Sequence, residues 1–116
     1  MNDTKIFSDC YQNAITIFER TKSFPKHLRP NLGRKLEESC LELLLNVRRA
    51  NLSKRCRIKY LSEASDNLDD LRVLTMLCRD IDALKINSFS EITERISEIG
   101  KELGGLIKYE VANANR

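Results

Sequence analysis

The sequence predicts an all-α protein: an antiparallel up-down-up-down four-helix bundle that forms one domain over residues 1–116. Apolar residues recur every three or four positions in four successive segments, which is the period of an amphipathic helix. No segment shows the alternation of apolar and polar residues that is typical of a strand. The connections between the segments are short, so neighbouring helices are expected to run antiparallel around one core.

A proline-containing break separates the first two helices. Helix one is predicted over about 3–22. Pro25 ends it, since proline donates no backbone hydrogen bond and disfavours helix at the preceding residue. Asn31, which follows Pro30, is expected to cap helix two, over about 32–50. The apolar positions of the two helices are Ile6, Cys10, Ala14 and Ile17/Phe18, and then Leu32, Leu36, Cys40, Leu43 and Val47.

Helices three and four are predicted over about 54–84 and about 89–111. The last helix has the most regular pattern, because its apolar residues step alternately by three and four, as in a heptad seam. Ser88 and Glu91 have the spacing of a capping box at its start. The apolar positions are Leu61, Ala64, Leu68, Leu71, Thr75 and Cys78 in helix three, and Phe89, Ile92, Ile96, Ile99, Leu103 and Leu106 in helix four.

The residue inventory argues against an enzyme. The sole histidine, His27, lies beside a proline-containing loop and has no partners for a nucleophilic triad. No phosphate-binding glycine motif is present. Asp66, Asp69 and Asp70 share one helical face and could bind a hard cation, but a solvated acidic face is the favoured interpretation. We therefore expect no catalytic residues, no metal and no cofactor.

The four cysteines are too far apart for a zinc knuckle or a redox Cys-x-x-Cys motif. Cys10, Cys40 and Cys78 fall at apolar helical positions, which indicates small buried hydrophobic residues rather than ligands. No apolar run approaches the length of a membrane span, and residues 1–5 lack the apolar block of a signal peptide. These features favour a cytoplasmic protein without membrane segments.

The charge is unevenly distributed along the chain. The formal net charge is +3, yet residues 20–60 hold 12 Lys or Arg against three acids, a balance of +9. Residues 1–19 and 61–116 contribute −2 and −4. Such asymmetry predicts a basic surface for an anionic partner, of which nucleic acid is the commonest, although a merely solvated basic face is the alternative.

The densest group of cations flanks the connection between helices two and three. We call it the α2–α3 cluster, and it predicts contacts with phosphates at one end of the bundle. Cations at the start of helix three are unfavourable, because they lie at the positive end of the helix dipole. An unfavourable charge placement with no compensating local contact is expected at a functional site. The cluster consists of Arg48, Arg49, Lys54, Arg55, Arg57 and Lys59.

Some apolar residues lie off the predicted core faces. Leu41 and Leu45 on helix two, and Val73 and Leu77 on helix three, would face water in a monomer and would be buried in a homo-oligomer. Single exposed leucines are also ordinary in monomers, so the alternative stays open. Among the glycines of helix four, Gly100 and Gly104 have the spacing that permits close approach of another helix, while Gly105 is an alternative helix end.

Four segments follow a known family pattern in order. They are Phe24-Pro25-Lys26, Asn31-Leu32-Gly33, the LDDLRVL run at 68–74 and the EIGKELGGLIK run at 98–108. On these segments the chain resembles, over about 6–108, the accessory variability determinant (Avd) proteins of diversity-generating retroelements. Those proteins belong to a wider four-helix-bundle group that includes the 23S rRNA intervening-sequence proteins.

The resemblance implies a non-enzymatic subunit. Avd proteins form homo-oligomers, usually pentamers, and associate with a reverse transcriptase and with RNA and DNA during mutagenic copying. The expectation for this chain is therefore a homopentamer that binds reverse transcriptase and nucleic acid, RNA and/or DNA, through its basic surface. The alternative is a protein-only interaction scaffold of the 23S rRNA intervening-sequence type.

Overall fold

In a computed structural model that describes residues 3–114, the chain forms four α-helices. They are α1 (Asp3–Thr21), α2 (Arg34–Leu52), α3 (Arg57–Asp80) and α4 (Ile86–Ala114). Each helix packs against its sequence neighbours, and α1 also packs against α4, which closes the bundle. The molecule measures 51 × 22 × 20 Å, so the described residues form the expected up-down-up-down bundle with no strand.

The core lies where the apolar periodicity places it. The positions expected to be apolar on α3 are all buried, and so are the four central positions of the α4 seam. Phe89 and Leu106, at the two ends of that seam, are half-buried against the core. Phe18 does not belong to the core, because its side chain is 36% exposed while Ile17 beside it is fully buried. Of these two neighbouring residues, Ile17 alone therefore belongs to the apolar face of α1.

The break between α1 and α2 contains a π-helical turn, Arg29–Gly33, that runs directly into α2. The prediction that Asn31 caps α2 is wrong, because Asn31 lies inside this turn. Its side chain donates to the carbonyl of His27 at 3.1 Å instead. Gly33 precedes α2 with helical dihedral angles and makes no side-chain cap. The two helical segments are continuous here, so α2 needs no separate cap.

The connection between α3 and α4 is longer than the periodicity indicates. Asp82 adopts a positive φ of 63°, and the amides of Ala83 and Leu84 both return to the carbonyl of Cys78 at the helix end. This turn ends α3 at Asp80 and brings Leu84 back over the core, where it is buried. The predicted extension of helix three to residue 84 is therefore wrong.

The start of α4 also differs from the sequence prediction. The helix begins at Ile86, so Ser88 lies within its first turn and cannot act as the N-cap. Glu91 reaches across to α1, where its carboxylate lies 3.5 Å from a guanidinium nitrogen of Arg20. The predicted capping box is thus replaced by an ion pair between helices. None of the helices in residues 3–114 combines the length and apolar composition required to cross a membrane.

The glycines of α4 have different environments. A Cβ atom at Gly100 would lie 3.3 Å from Nη2 of Arg72 and 3.5 Å from Cδ2 of Leu68, so α3 approaches closely at this point. At Gly104 and Gly105 a Cβ atom would meet no atom of the described residues within 4 Å. Close approach is confirmed for Gly100, whereas Gly104 borders open space. Gly105 does not end the helix, which continues to Ala114.

Candidate nucleic-acid interface

The α2–α3 cluster lies at one end of the bundle, around the short connection 53–56. The helix α2 ends at Leu52 because Ser53 adopts extended dihedral angles, and the hydroxyl of Ser53 accepts a hydrogen bond from the Cys56 amide at 3.1 Å. The helix α3 begins at Arg57, three residues later than expected. Lys54 and Arg55 therefore lie in the connection ahead of the helix and project from an exposed turn.

Arg57 differs from the rest of the cluster, because its side chain points into the structure and is only 13% exposed. Its Nε donates to the carbonyl of Ala50 at 2.8 Å and its Nη2 to that of Asn51 at 3.3 Å. These bonds satisfy carbonyls that the last turn of α2 leaves without helical partners. Its Nη1 lies 3.4 Å from the Glu110 carboxylate of α4, which is 17% exposed. Arg57 thus joins three helices.

Arg49 is exposed but held by a chain of polar contacts. Its Nη1 donates to the side-chain oxygen of Asn46 at 3.0 Å, and Asn46 in turn donates to Asn67 of α3 at 2.7 Å. Asn46 is buried, so these amides form a polar link inside the α2–α3 contact. Asn46 is uncharged, so this contact leaves the positive charge of Arg49 without a compensating acid.

The remaining four cations are exposed. Arg48, Lys54 and Arg55 form no hydrogen bond or ion pair within the described residues, and Lys59 lies 5.7 Å from the ring centre of Tyr60. The sequence from 43 to 62 contains no acidic residue. The first turn of α3 contains none either, so the positive end of its dipole adds to the same field. Five exposed cations therefore make this end of the bundle positive, while the largely buried Arg57 links the helices.

The described residues contain no group of three or more His, Cys, Asp or Glu side chains that could hold a metal ion. Burial raises the pKa of Cys10 and Cys40 to about 12 and that of Cys78 to about 11, so all three carry their protons at neutral pH. They are buried hydrophobic residues, as the sequence predicts. His27 is exposed and lies in the turn before the π-helical segment.

The four apolar residues expected at a subunit interface are all exposed. Leu41 and Leu45 are each 41% exposed on α2, and on α3 Val73 is 65% and Leu77 46% exposed. A second exposed row lies on α1 and consists of Tyr11 and Ile15, which were not predicted at an interface, and Phe18, which was expected in the core. Its spacing of four and three was the available signal.

The row on α1 lies on the flank turned away from α4. The opposite flank of α1 is polar and contacts α4, where the Thr16 hydroxyl accepts a hydrogen bond from Arg95 at 3.2 Å. Since the main contacts of α1 are with α4 and α2, its apolar row borders α2. Leu41 and Leu45 lie on the exposed side of α2. A broad apolar surface therefore extends over the middle of the first two helices.

A model of the bAvd-like family matches residues 6–110. The chain belongs to the bAvd-like family. This match confirms the resemblance drawn from the sequence motifs, and it extends over all four helices. A comparison with curated proteins gave no match.

A solved crystal structure has the same fold as this chain. The bAvd-like chain superposes with a TM-score of 0.81 on the crystal structure of a protein of unknown function from the S23 ribosomal protein family of Bacteroides thetaiotaomicron. The two sequences are 19% identical, and the match covers 93% of this chain and 99% of the other. At that identity the similarity supports the four-helix fold and nothing further.

Proposed function

We propose that the chain is a non-enzymatic accessory subunit of a diversity-generating retroelement. In this role it binds RNA and/or DNA through the α2–α3 cluster, associates with the retroelement's reverse transcriptase and supports mutagenic copying. The subunit acts in the cytoplasm as a homo-oligomer, with five subunits on the basis of its resemblance to Avd proteins. Family membership supports the general role, and the observation that carries the nucleic-acid part is the set of exposed cations with no acidic residue between positions 43 and 62.

The cluster suits binding to the phosphate backbone rather than reading of the sequence. Arg48, Lys54 and Arg55 have no partners within the described residues, so binding a phosphate breaks no existing ion pair. Aromatic side chains on which bases could stack are scarce in this part of the sequence, since Tyr60 is the one aromatic residue between positions 43 and 62. Affinity is then expected to depend on salt and hardly on the base sequence.

The test measures binding to unrelated 24-base-pair duplexes and 24-nucleotide RNAs by fluorescence anisotropy between 50 and 200 mM salt. If about four phosphates are neutralised on duplex DNA, the slope of log K against log salt is about −3.6, and affinity falls roughly 150-fold over this range. The double variant Arg48→Glu with Arg55→Glu removes two contacts, so its slope is expected to be shallower by about 2.

The matched control compares single charge reversals. Arg55→Glu is expected to weaken binding strongly, whereas Lys101→Glu changes the net charge equally on an exposed part of α4 outside the cluster. If the two variants bind equally well, only the overall charge matters and the cluster is not the site. If the wild-type protein binds neither nucleic acid at 50 mM salt, the proposed nucleic-acid role is wrong.

The subunit contact is proposed to include Leu41, Leu45, Val73 and Leu77. A closed ring of more than two subunits requires two different faces to meet, and apolar residues on two different helices satisfy that requirement. Light scattering should give a mass five times that of one chain. Leu41→Glu with Leu45→Glu is expected to yield folded smaller species, while Ile86→Glu, at another exposed position, leaves the oligomer intact. A wild-type monomer at micromolar concentration would refute the oligomer.

The association with reverse transcriptase requires a direct test. Co-expression of a tagged reverse transcriptase from the same retroelement should retain the wild-type chain after nuclease treatment, which removes bridging nucleic acid. Loss of the complex after that treatment would show that nucleic acid alone joins the two proteins. A reverse-transcriptase gene and a repeated template next to the gene for this chain would support the same role.

A protein-only scaffold is the second candidate, and the exposed apolar row of Tyr11, Ile15 and Phe18 favours it. In that case the basic end would bind an acidic protein surface, and the apolar surface a helix of the partner. The anisotropy experiment separates the two functions. Binding to generic nucleic acid with a steep dependence on salt is expected from the retroelement subunit and not from the scaffold.

A further inference from the structure

The 12 cations of residues 20–60 do not form one surface. Residues 36–47 in the middle of α2 contain none, and they separate Lys35 from Arg48 by about 20 Å along the helix axis. Half of the cations thus lie near the connection between α1 and α2, at the end of the bundle opposite the α2–α3 cluster. Lys85, in the connection between α3 and α4, lies at this same end.

The turn between α1 and α2 is fixed by its own hydrogen bonds. Nε of Arg29 donates to the carbonyl of Phe24 at 3.1 Å, and its Nη2 donates to that of Lys22. Phe24 is buried and anchors the turn. Gly33 is buried too, and a Cβ atom there would lie 3.5 Å from the Leu28 carbonyl oxygen. Arg29 is therefore held in place by neutral acceptors, which leave its positive charge and its remaining N–H donors available.

Three lysines around this turn are exposed and have no partner within the described residues: Lys22, Lys26 and Lys35. Together with Arg29 they form what we call the α1–α2 cluster. Two other cations nearby are already paired, Arg20 with Glu91 and Arg34 with Glu38.

Acidic groups at this end reduce the field without cancelling it. Glu37 lines a surface depression of about 470 Å³ together with Thr21, Lys22 and Arg29, and its carboxylate accepts a hydrogen bond from Thr21. Asp82 is exposed in the adjacent connection. Residues 20–38 hold six cations against two acids, and Lys85, Asp82 and Glu91 at the same end bring the balance to seven against four, or +3. The lysines therefore project from a surface that remains positive.

We propose that the α1–α2 cluster is a second binding site for nucleic-acid phosphates, separate from the α2–α3 cluster. The inference rests on the proposed function, because it assumes that the chain binds nucleic acid. Each subunit would then contact phosphates at both ends of a molecule 51 Å long. A 24-base-pair duplex, about 82 Å long at 3.4 Å per base pair, can reach both ends.

The test uses salt dependence with a 24-base-pair duplex. Lys22→Glu with Lys26→Glu is expected to make the slope of log K against log salt shallower by about 2, as does Arg48→Glu with Arg55→Glu at the other end. Combining all four substitutions should add the two losses, because the sites are separate. Both lysines are exposed and neither side chain supports the turn, so the oligomer and the unfolding temperature should not change.

A second measurement avoids substitutions. Lysine acetylation followed by mass spectrometry should show the three lysines of the α1–α2 cluster protected by the duplex, with Lys101 on α4 labelled equally with and without it. If wild-type protein binds the duplex but these lysines stay unprotected and their substitution leaves the slope unchanged, the second site does not exist. If wild-type protein does not bind the duplex, the proposed nucleic-acid function fails as well.

Discussion

Replacing Arg57 with alanine should destabilise the fold, although the sequence groups this residue with phosphate-binding cations. The Arg57 guanidinium donates to two carbonyls at the end of α2 and pairs with Glu110 of α4. Without the guanidinium, the two carbonyls and the Glu110 carboxylate lose their bonds to Arg57. The site is largely shielded from water, because the Arg57 and Glu110 side chains are each less than one-fifth exposed. Deletion of one partner from such a pair costs more than deletion of a surface charge.

The expected loss follows from these contacts. Hydrogen bonds that involve a charged group contribute about 1.5–3 kcal/mol each, and the residual exposure of the pair reduces that contribution. We expect Arg57→Ala to lower the free energy of unfolding by about 3 kcal/mol. At about 4 °C per kcal/mol for a domain of this size, the unfolding temperature should fall by roughly 12 °C.

Urea unfolding at 25 °C followed by circular dichroism measures this difference, with all variants at one protein concentration because an oligomer gains stability by mass action. Arg55→Ala is the matched control, since Arg55 is exposed without partners, and its effect should stay within about 0.5 kcal/mol. Equal stability of the two variants would refute the assignment. Arg57 would then be a surface cation, and it would be assigned to phosphate binding together with the other residues of the α2–α3 cluster.

Three further outcomes are expected. Gly104→Ala should stabilise the protein by up to about 1 kcal/mol in urea unfolding, because its helix position borders open space; Gly100→Ala should gain less, because Arg72 must shift. A thiol reagent should label Cys56 rapidly in the native protein and the three buried cysteines only after unfolding, as counted by mass spectrometry. Burial raises the pKa of Glu102 above 4.5, so the wild-type protein should gain stability relative to Glu102→Gln as the pH falls from 7 towards 4.5.

The core of this fold was predictable because helical burial has a simple period. On α3 and α4 the apolar spacing identifies the buried residues. The helix ends were less predictable, since local geometry determines them. The positive φ of Asp82 ends α3 early, and the continuity of the π-helical turn with α2 removes the need for Asn31 as a cap. Asp82 tolerates a positive φ, but Asp80 does so equally, and nothing in the sequence around Asn31 marks a π-helical turn.

For the candidate site, the sequence predicts a local concentration of cations but not which of their side chains are exposed. A count of cations cannot separate Arg57, which reaches inward to Glu110, from Arg55, which faces water two residues earlier. That difference depends on where α3 begins and on which helix lies opposite. The cationic turn at the other end was visible in the sequence too, yet its separation from the α2–α3 cluster became apparent only once α2 was placed between them.

The arrangement along α2 separates the surface proposed for subunit contact from the surfaces proposed for nucleic-acid binding. Its middle section, residues 36–47, carries exposed Leu41 and Leu45 and no cation, while both ends are positive. If subunits meet side by side through these leucines and through Val73 and Leu77 in the last turns of α3, the cationic connections at both ends of the bundle stay exposed on the two rims of the ring. Ring formation would then multiply phosphate contacts through avidity without covering them. Dissociation by Leu41→Glu with Leu45→Glu should therefore weaken binding to long duplexes far more than to duplexes short enough to contact one cluster.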